Sequence, residues 1–411
     1  MQAPAIGIDF GTSNTAAAIL RDGAVRLVPL EGGQDTLPTA IFLDFASRET
    51  LVGSAAVAAM IDGREGRFMR ALKSILGTPL ARERRQFLNR RLTLLEIVAE
   101  FLAEIRARAE AAEGREIRRV IAGRPVRFHS EDEARNIQAE ADLRDCYAMA
   151  GFEDLRFVPE PEAAARAASP GSGIGLIVDI GGGTSDFTLF ERDGQGIRVL
   201  ASHGIRLGGT DFDRALSLAH VMPLFGLGGA LRNEIGPGRH DVPQAIFHDL
   251  ATWAKIAFLY SPATLRDARY MARQAVEPRR LARLVRVLEN EIGHDVAFAV
   301  EAAKIAANDG AAAGIDLSLV ERGLNPTLIA DDLTRGLAFA AHRIGGAITE
   351  TLTVAGLRPA DVGRVIFVGG SSLLSVVEES VARLLPDAAR ERSDVFTAVV
   401  RGLGIASGEA P

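Results

Sequence analysis

Cysteine is almost missing from this chain, and the single Cys146 excludes both an intrachain disulfide and a thiolate metal cluster. Lysine is nearly as scarce: only three of the 47 basic residues, Lys73, Lys255 and Lys304, are lysines. A compact ammonium and a planar guanidinium are not equivalent at a tight site, so each lysine invites a question. The dipeptide Gly-Lys does not occur, which excludes a P-loop phosphate site. No apolar run has bilayer-spanning length. The first apolar stretch begins by Ala5, without space for a charged leader and signal core before it, so the expected location is cytoplasmic. The formal net charge of −6 comes without a basic block, which argues against a general nucleic-acid or anionic-membrane partner. The histidines have no metal-ligand spacing, and no base is arranged by sequence beside any serine.

What is present is length and glycine. At 411 residues there is room for two domains or one bilobal body. Two segments are near-copies of one another: Ile6-Gly7-Ile8-Asp9-Phe10-Gly11-Thr12-Ser13-Asn14-Thr15 and Leu176-Ile177-Val178-Asp179-Ile180-Gly181-Gly182-Gly183-Thr184-Ser185-Asp186. Each reads as an apolar strand ending in Asp, a glycine turn carrying Thr-Ser, and a second strand. Backbone N–H groups in such a turn converge on a concavity that suits a phosphate. An ordinary hairpin accounts for one such segment; the pair points to two related lobes closing on one ligand. Asp9 and Asp179 would then approach the same phosphates, which is unfavourable without a cation between them. Mg²⁺ answers this, because it keeps several waters and binds through one or two carboxylates plus phosphate oxygens. Thr12, Ser13 and Thr184 offer hydroxyls to the same phosphates. Gly171-Ser172-Gly173-Ile174-Gly175 precedes a strand instead of following one and reads as a linker.

Along the chain, residues 5–45 read as strands and turns. Residues 54–112 read as helical, with Leu92, Leu95, Ile97, Val98, Phe101, Leu102 and Ile105 forming an apolar stripe. Arg118–Gly123 reads as a strand, and Ser130-Glu131-Asp132-Glu133 as a capping pattern opening a helix from Ser130 to Gly151. Ser169-Pro170-Gly171-Ser172-Gly173 marks a lobe boundary. Strands then run to about Leu207, followed by helix to about Asn308 with loops near Gly226–Gly238. Strand Val365–Val368 leads into Gly369-Gly370-Ser371-Ser372 and a final helix pair. Trp253 and Cys146 read as core, Lys255 as a solvated side chain and Glu162 as a loop carboxylate.

The two glycine turns, with Val365-Ile366-Phe367-Val368-Gly369-Gly370-Ser371-Ser372, resemble the phosphate-1, phosphate-2 and adenosine signatures of the actin, sugar kinase and heat-shock ATPase superfamily. The resemblance is closest to the heat shock protein 70 (DnaK) family. Ala71-Leu72-Lys73-Ser74-Ile75-Leu76-Gly77 is similar to its segment with the catalytic lysine, and Pro159-Glu160-Pro161-Glu162-Ala163-Ala164-Ala165 to its Glu-Pro-Thr-Ala-Ala-Ala connection. Leu207-Gly208-Gly209-Thr210-Asp211-Phe212-Asp213 is similar to its Leu-Gly-Gly-Glu-Asp-Phe-Asp, and Glu301-Ala302-Ala303-Lys304-Ile305 to its Glu-x-x-Lys-Ile. The likeness runs in order over about residues 5–405. It implies an α/β, actin-like (ribonuclease H-like) fold of two lobes, each with a mixed five-stranded sheet plus helices, and a nucleotide cleft between them. Lobe I would be 1–168, with core 1–38 and 117–168 and a helical subdomain 39–116. Lobe II would be 169–392, with core 169–212 and 309–392 and a helical subdomain 213–308; a C-terminal helix in 393–411 would pack back toward lobe I.

The resemblance implies ATP/ADP and Mg²⁺ as ligands. Lys73 would set its charge at the γ-phosphate and the attacking water, Glu160 would orient that water, and Thr184 would contact the γ-phosphate. Asp9 and Asp179 would hold hydrated Mg²⁺, Asp179 thereby serving the chemistry too, with Asp186 in a cation or supporting role. Gly11, Thr12, Ser13, Asn14, Gly181, Gly182, Gly183, Gly208 and Gly209 would line the phosphates. Glu301, Lys304 and Asn308 would reach the ribose side, and Gly369, Gly370 and Ser371 the nucleoside.

The chain departs from that family in three places. The expectation is a chain without an apolar interdomain linker, peptide-binding β-sandwich or helical lid, and Met222-Pro223-Leu224-Phe225-Gly226-Leu227-Gly228-Gly229 with the later helices resembles the short YegD-like bacterial forms. Leu373 stands where an arginine usually stacks on the base, and Ser393-Asp394-Val395-Phe396-Thr397-Ala398-Val399 replaces the C-terminal Asn-Pro-Asp-Glu-Ala-Val signature. The expectation is an ATP-binding, slowly hydrolysing chaperone-family switch with a protein partner. A metabolite kinase, a filament-forming relative and a pseudo-ATPase interaction module remain alternatives.

Overall fold

The structure is a computed structural model and describes residues 5–129, 132–167, 172–193, 196–392 and 397–408. Two compact units emerge: residues up to Gly209 with 342–373 and 377–411, and residues 210–341 with 374–376. Among the described residues no helix is long and apolar enough to cross a membrane.

The first unit begins with a mixed sheet. Strands β1 (Ala5–Phe10), β2 (Asn14–Arg21) and β3 (Ala24–Leu27) form an antiparallel meander, and the two-residue β4 (Leu37–Pro38) adds to β2. Next, β5 (Ala40–Asp44) is apolar and buried along almost its whole length, so it needs a partner on each edge; β6 (Thr50–Val52) and β7 (Gly66–Arg70) supply them around α1 (Ser54–Ile61). The expected all-helical run over 54–112 is therefore corrected. Besides β7 it contains α2 (Pro79–Arg82), the hairpin β8 (Arg85–Phe87) and β9 (Arg90–Leu92), and only then the long helix α3 (Leu94–Glu113). Thr93 caps α3 by accepting from the Glu96 N–H at 3.2 Å while the Glu96 carboxylate accepts from the Thr93 N–H at 2.7 Å, a reciprocal box.

Strands β10 (Arg119–Arg124) and β11 (Asp154–Pro159) continue the first sheet in parallel, in the order β11-β10-β1-β2-β3 with β4 beside β2. It thus holds five strands in its main path and a short sixth. Between them, α4 (Glu133–Met149) is capped by Asp132, which accepts from the Arg135 N–H at 3.0 Å; Ser130 and Glu131 of the expected capping pattern lie outside the described residues. Cys146 is buried in α4, and burial pushes its thiol far up. Helix α5 (Glu160–Ala167) follows β11 directly, so Glu162 is helical and pairs with Arg166 at 2.9 Å, not in a loop as expected. Of the expected lobe boundary, residues 169–171 lie outside the described residues.

The second sheet starts with the antiparallel β12 (Gly173–Ile180), β13 (Ser185–Asp193) and β14 (Gly196–Ile205). The chain then enters the second unit through α6 (Gly209–His220) and α7 (Met222–Phe225). The loop expected at Gly226–Gly238 is in part a hairpin, β15 (Ala230–Arg232) with β16 (Arg239–Asp241), seated by the Val276 N–H donating to the Ala230 carbonyl. Helices α8 (Ala245–Leu250), α9 (Pro262–Gln274), α10 (Pro278–Glu289) and α11 (Gly293–Asn308) follow, then β17 (Ala313–Gly314), β18 (Thr327–Leu328) and α12 (Ala330–Gly336). Trp253 lies in the core of this unit, edge-on to Phe298 at 4.9 Å.

On its return the chain adds α13 (Ala338–Ala355), β19 (Arg364–Val368), α14 (Ser375–Leu384) and β20 (Ala389–Arg392), giving the sheet order β14-β13-β12-β19-β20. The last helix, α15 (Ala398–Ala406), packs on α5 and on β1 and β2. Its approach is backbone to backbone: a Cβ on Gly7 would stand 2.7 Å from the Leu403 carbonyl carbon. Ala163, Ala164, Ala165, Ala398, Leu403 and Ala406 then form one core with Ile121 and Val158 of the first sheet and Ile177, Ile366 and Val368 of the second. Residues 393–396 of the altered C-terminal signature lie outside the described residues.

Candidate functional site

The duplicated segments fold as duplicated hairpins. In the first, Asp9 pairs across the strands with Ala16 and the Gly11 N–H donates to the Asn14 carbonyl at 3.0 Å. In the second, Asp179 pairs with Asp186 and the Gly181 N–H donates to the Thr184 carbonyl, also at 3.0 Å. The two turns abut. A Cβ on Gly182 would stand 2.5 Å from the Ser13 hydroxyl, and one on Gly183 would stand 3.0 Å from the Thr12 hydroxyl. Gly208 closes on the same place, since its Cβ would lie 2.5 Å from the Gly183 nitrogen, and the Gly209 N–H donates to the Gly181 carbonyl at 2.9 Å. A side chain on Gly209 would collide with the Ser371 hydroxyl, next to Gly370, which opens the short turn Gly370–Leu373. Gly369, at φ 77°, has its Cβ direction blocked by the Ile180 carbonyl. Side chains are excluded where the turns meet, leaving backbone and the hydroxyls of Thr12, Ser13 and Ser371 there, which is chemistry for an anion.

Lys73 and Glu160 come from separate elements. Lys73 sits in a 3-10 turn, Leu72–Ile75, entered through Ala71 at φ 60°, a left-handed residue held by the Ser74 hydroxyl donating to its carbonyl at 2.7 Å. Glu160 opens α5 at the end of β11. The Lys73 ammonium donates to Glu160 Oε1 at 2.6 Å, and both side chains are buried. Gly123 on β10 fixes the neighbourhood: its Cβ would lie 3.2 Å from Glu160 Cγ and 3.7 Å from Asp9 Oδ1. One ammonium therefore stands among four carboxylates, those of Asp9, Glu160, Asp179 and Asp186.

That imbalance shows in their proton affinities. Desolvation, then the charge of Glu160, pushes Asp9 up to about 7, with Lys73 pulling the other way. Burial, then Glu160, Asp186 and Asp9, drives Asp179 well above the carboxylate range. Asp186 is raised by burial and Glu160 against the Val126 N–H at 2.8 Å, Lys73 and the Thr184 hydroxyl. Burial alone would lower Lys73, but Glu160, Asp9 and Asp186 outweigh it and raise it. Carboxylates with raised proton affinity are groups short of positive charge. Among the described residues no three His, Cys, Asp or Glu side chains converge to chelate a bare metal ion. The set fits a cation that keeps its water shell and touches one or two carboxylates, as Mg²⁺ does.

Glu301, Lys304 and Asn308 lie on α11 of the second unit. Lys304 is buried there, and its ammonium donates to Asp213 Oδ1 at 2.6 Å. The Trp253 indole N–H donates to the other Asp213 oxygen at 3.1 Å. The Asn308 side-chain oxygen accepts from the Ser375 N–H at 2.8 Å. Two groups in these networks had no assigned role in the sequence. Asp213 was visible only as the last residue of the Leu-Gly-Gly-Thr-Asp-Phe-Asp run, and the Val126 amide has no side-chain signature at all.

A family model described as Hsp70 protein matches residues 5–226 of the chain. Among curated proteins, a chaperone protein HscA homolog of Rickettsia akari (strain Hartford) is 31% identical over 226 residues, which take in 51% of this chain and 36% of that relative. The match thus covers about a third of the relative's length.

Proposed function

The chain belongs to the Hsp70 family, with its actin-like ATPase fold, and from that premise we propose that its first unit binds Mg²⁺-ATP and hydrolyses it slowly. The observation that carries this reading is the buried Lys73–Glu160 pair standing in an excess of carboxylates beside two abutting glycine turns. Glycine amides and the hydroxyls of Thr12, Ser13 and Thr184 would receive the phosphate oxygens. Asp9 and Asp179 would hold hydrated Mg²⁺, and the ion would supply the charge neutralisation that phosphoryl transfer needs. Lys73 brings a fixed positive charge to the position where negative charge grows during transfer. Glu160, its carboxylate held by Lys73, accepts a hydrogen bond from water and orients it toward the phosphate. The work is positioning and charge, with little covalent chemistry asked of the protein.

As a nucleotide-dependent switch, such a unit would present different surfaces to a protein partner in its ATP and ADP states, which requires differential affinity for the two. Calorimetric titration with ATP and ADP, with and without Mg²⁺, tests the binding claim. Saturable binding at micromolar nucleotide that weakens without Mg²⁺ is expected. No heat of binding at several hundred micromolar would overturn it.

A further inference from the structure

Lys73 can hold its ammonium against Glu160 only if its loop is fixed in place. The loop that carries it ends at Gly77, at φ 76°, pressed against the side of α4: a Cβ there would overlap the Arg135 carbonyl oxygen and come within 3.0 Å of Ala139 Cβ and His129 Nε2. Two hydrogen bonds hold this end. The Gly77 N–H donates to Asp142 Oδ2 at 2.8 Å, and His129 Nε2 donates to the Leu76 carbonyl at 2.7 Å. The second carboxylate oxygen of Asp142 accepts from Arg82 at 2.5 Å and from the Gln138 amide at 2.9 Å. Asp142 has no exposed surface.

A carboxylate buried on the inner face of a helix is costly unless it is fully bonded, and simple packing would be served by an apolar residue. Among the described residues every side-chain bond of Asp142 but one, the helical Gln138, goes to Gly77 and Arg82 at and after the end of the lysine loop. That loop is short and has a left-handed residue at each end, Ala71 and Gly77. It has little freedom to absorb a shift, so displacement at Gly77 is passed to Lys73. Glu160 is fixed separately, by β11 and α5.

We propose that Asp142 is a positioning residue for Lys73: it fastens the far end of the 71–77 loop to α4 and so sets the ammonium against Glu160. Its bearing on turnover rests on the ATPase reading; its bearing on Lys73 does not. The three lysines allow a direct test on the whole protein. Trace acylation with acetic anhydride, read by mass spectrometry, reports each amine separately, with half-exposed Lys255 as the reactive reference and buried Lys304 as the control for general loosening.

Asp142→Ala is expected to raise acylation of Lys73 by about tenfold or more with Lys304 unchanged, because local opening exposes only the affected segment. In the same variant kcat for ATP should fall by about 10- to 100-fold with KM nearly constant, the size expected for a misplaced catalytic group. Asp142→Asn keeps an acceptor for the Gly77 N–H and should recover most of both. If Asp142→Ala does not fold, His129→Ala removes the neighbouring tether and should raise Lys73 acylation by a smaller factor. Unchanged Lys73 acylation, or a parallel rise at Lys304, overturns the proposal. Absence of ATP turnover in the parent protein would sink the ATPase reading while leaving the acylation result to decide the role of Asp142.

Discussion

Lys73 in the first unit and Lys304 in the second both end in buried ion pairs of the same length, 2.6 Å, and the surroundings differ in how many further carboxylates act there. Lys304 meets Asp213, whose other oxygen takes the Trp253 N–H, with Glu301 as the further carboxylate acting on Asp213. Burial and the charge of Glu301 raise Asp213, with Lys304 opposing them. Lys73 meets Glu160 with Asp9, Asp179 and Asp186 around it, and the excess is left to protons or a cation. Distance does not separate the two pairs; the number of carboxylates acting around each lysine does. A buried pair with few further carboxylates gives its folding unit a fixed internal contact. One among several stores affinity for whatever offsets their charge.

The largest effect that would break the comparison is expected at Lys304. Lys304→Ala leaves Asp213 buried without its cation and should destabilise the second unit by about 3–5 kcal/mol, read from urea unfolding. Replacing both partners with apolar residues, Lys304→Met with Asp213→Leu, should recover much of the loss, because a well-packed apolar pair often substitutes for a buried ion pair. A loss below about 1 kcal/mol for Lys304→Ala would place this pair with surface ion pairs and remove the contrast.

At Lys73 the expected effect lies in turnover. Lys73→Ala should lower ATP hydrolysis by about 100-fold or more, the usual scale for removing one preorganised charge-stabilising donor. Its midpoint of thermal unfolding should move little, since the remaining carboxylates can take up protons in place of the lost ammonium. A large drop in unfolding midpoint with hydrolysis intact would invert the assignment of the two lysines.

Both lysines read from the sequence as nucleotide contacts, so the site was legible there and the contrast between them was not, for physical reasons. The glycine turns were readable because backbone convergence demands a residue without a side chain at fixed spacing from a terminal Asp. Lys73 and Lys304 stood out because lysine is rare in this chain. The pairing of Lys304 with Asp213 spans 91 positions and leaves no local pattern, and the same holds for the 65 positions between Gly77 and Asp142. The strand β7 was hidden inside a helical reading because its only reason to be extended is the bare edge of β5, a tertiary demand. Glu162 read as a loop residue beside the Pro159-Glu160-Pro161 run, yet a proline is well tolerated in the first turn of a helix, where α5 begins.

The pH dependence sharpens the comparison more gently. Asp9 is pushed up to about 7 in the folded protein, while an unfolded Asp titrates near 3.9, so through that interval the folded chain keeps a proton that the unfolded chain has released. Stability of the nucleotide-free protein should therefore fall as pH rises from about 4 to about 7, and Asp179 and Asp186, raised in the same sense, steepen the slope. Saturating Mg²⁺-ATP should flatten it, because a bound cation takes over the role of the protons. The measurement is the unfolding midpoint against pH with and without Mg²⁺-ATP. Equal slopes in both conditions would mean that the acid cluster is not where the cation goes.

The smallest effect belongs to the third lysine and isolates distance as a variable. Lys255 also donates to a carboxylate at 2.6 Å, that of Asp249, but both side chains are substantially exposed, at 52% and 36%. Water already solvates both charges, and holding two side chains together costs entropy that the screened attraction barely offsets. Lys255→Ala is expected to change stability by less than about 1 kcal/mol and to leave nucleotide binding untouched. Raising the salt concentration should erase even that difference, while the stability difference at Lys304 persists because buried charges are screened far less. If the Lys255 effect proved as large and as salt-resistant as that at Lys304, burial would not be what sets these three pairs of equal length apart.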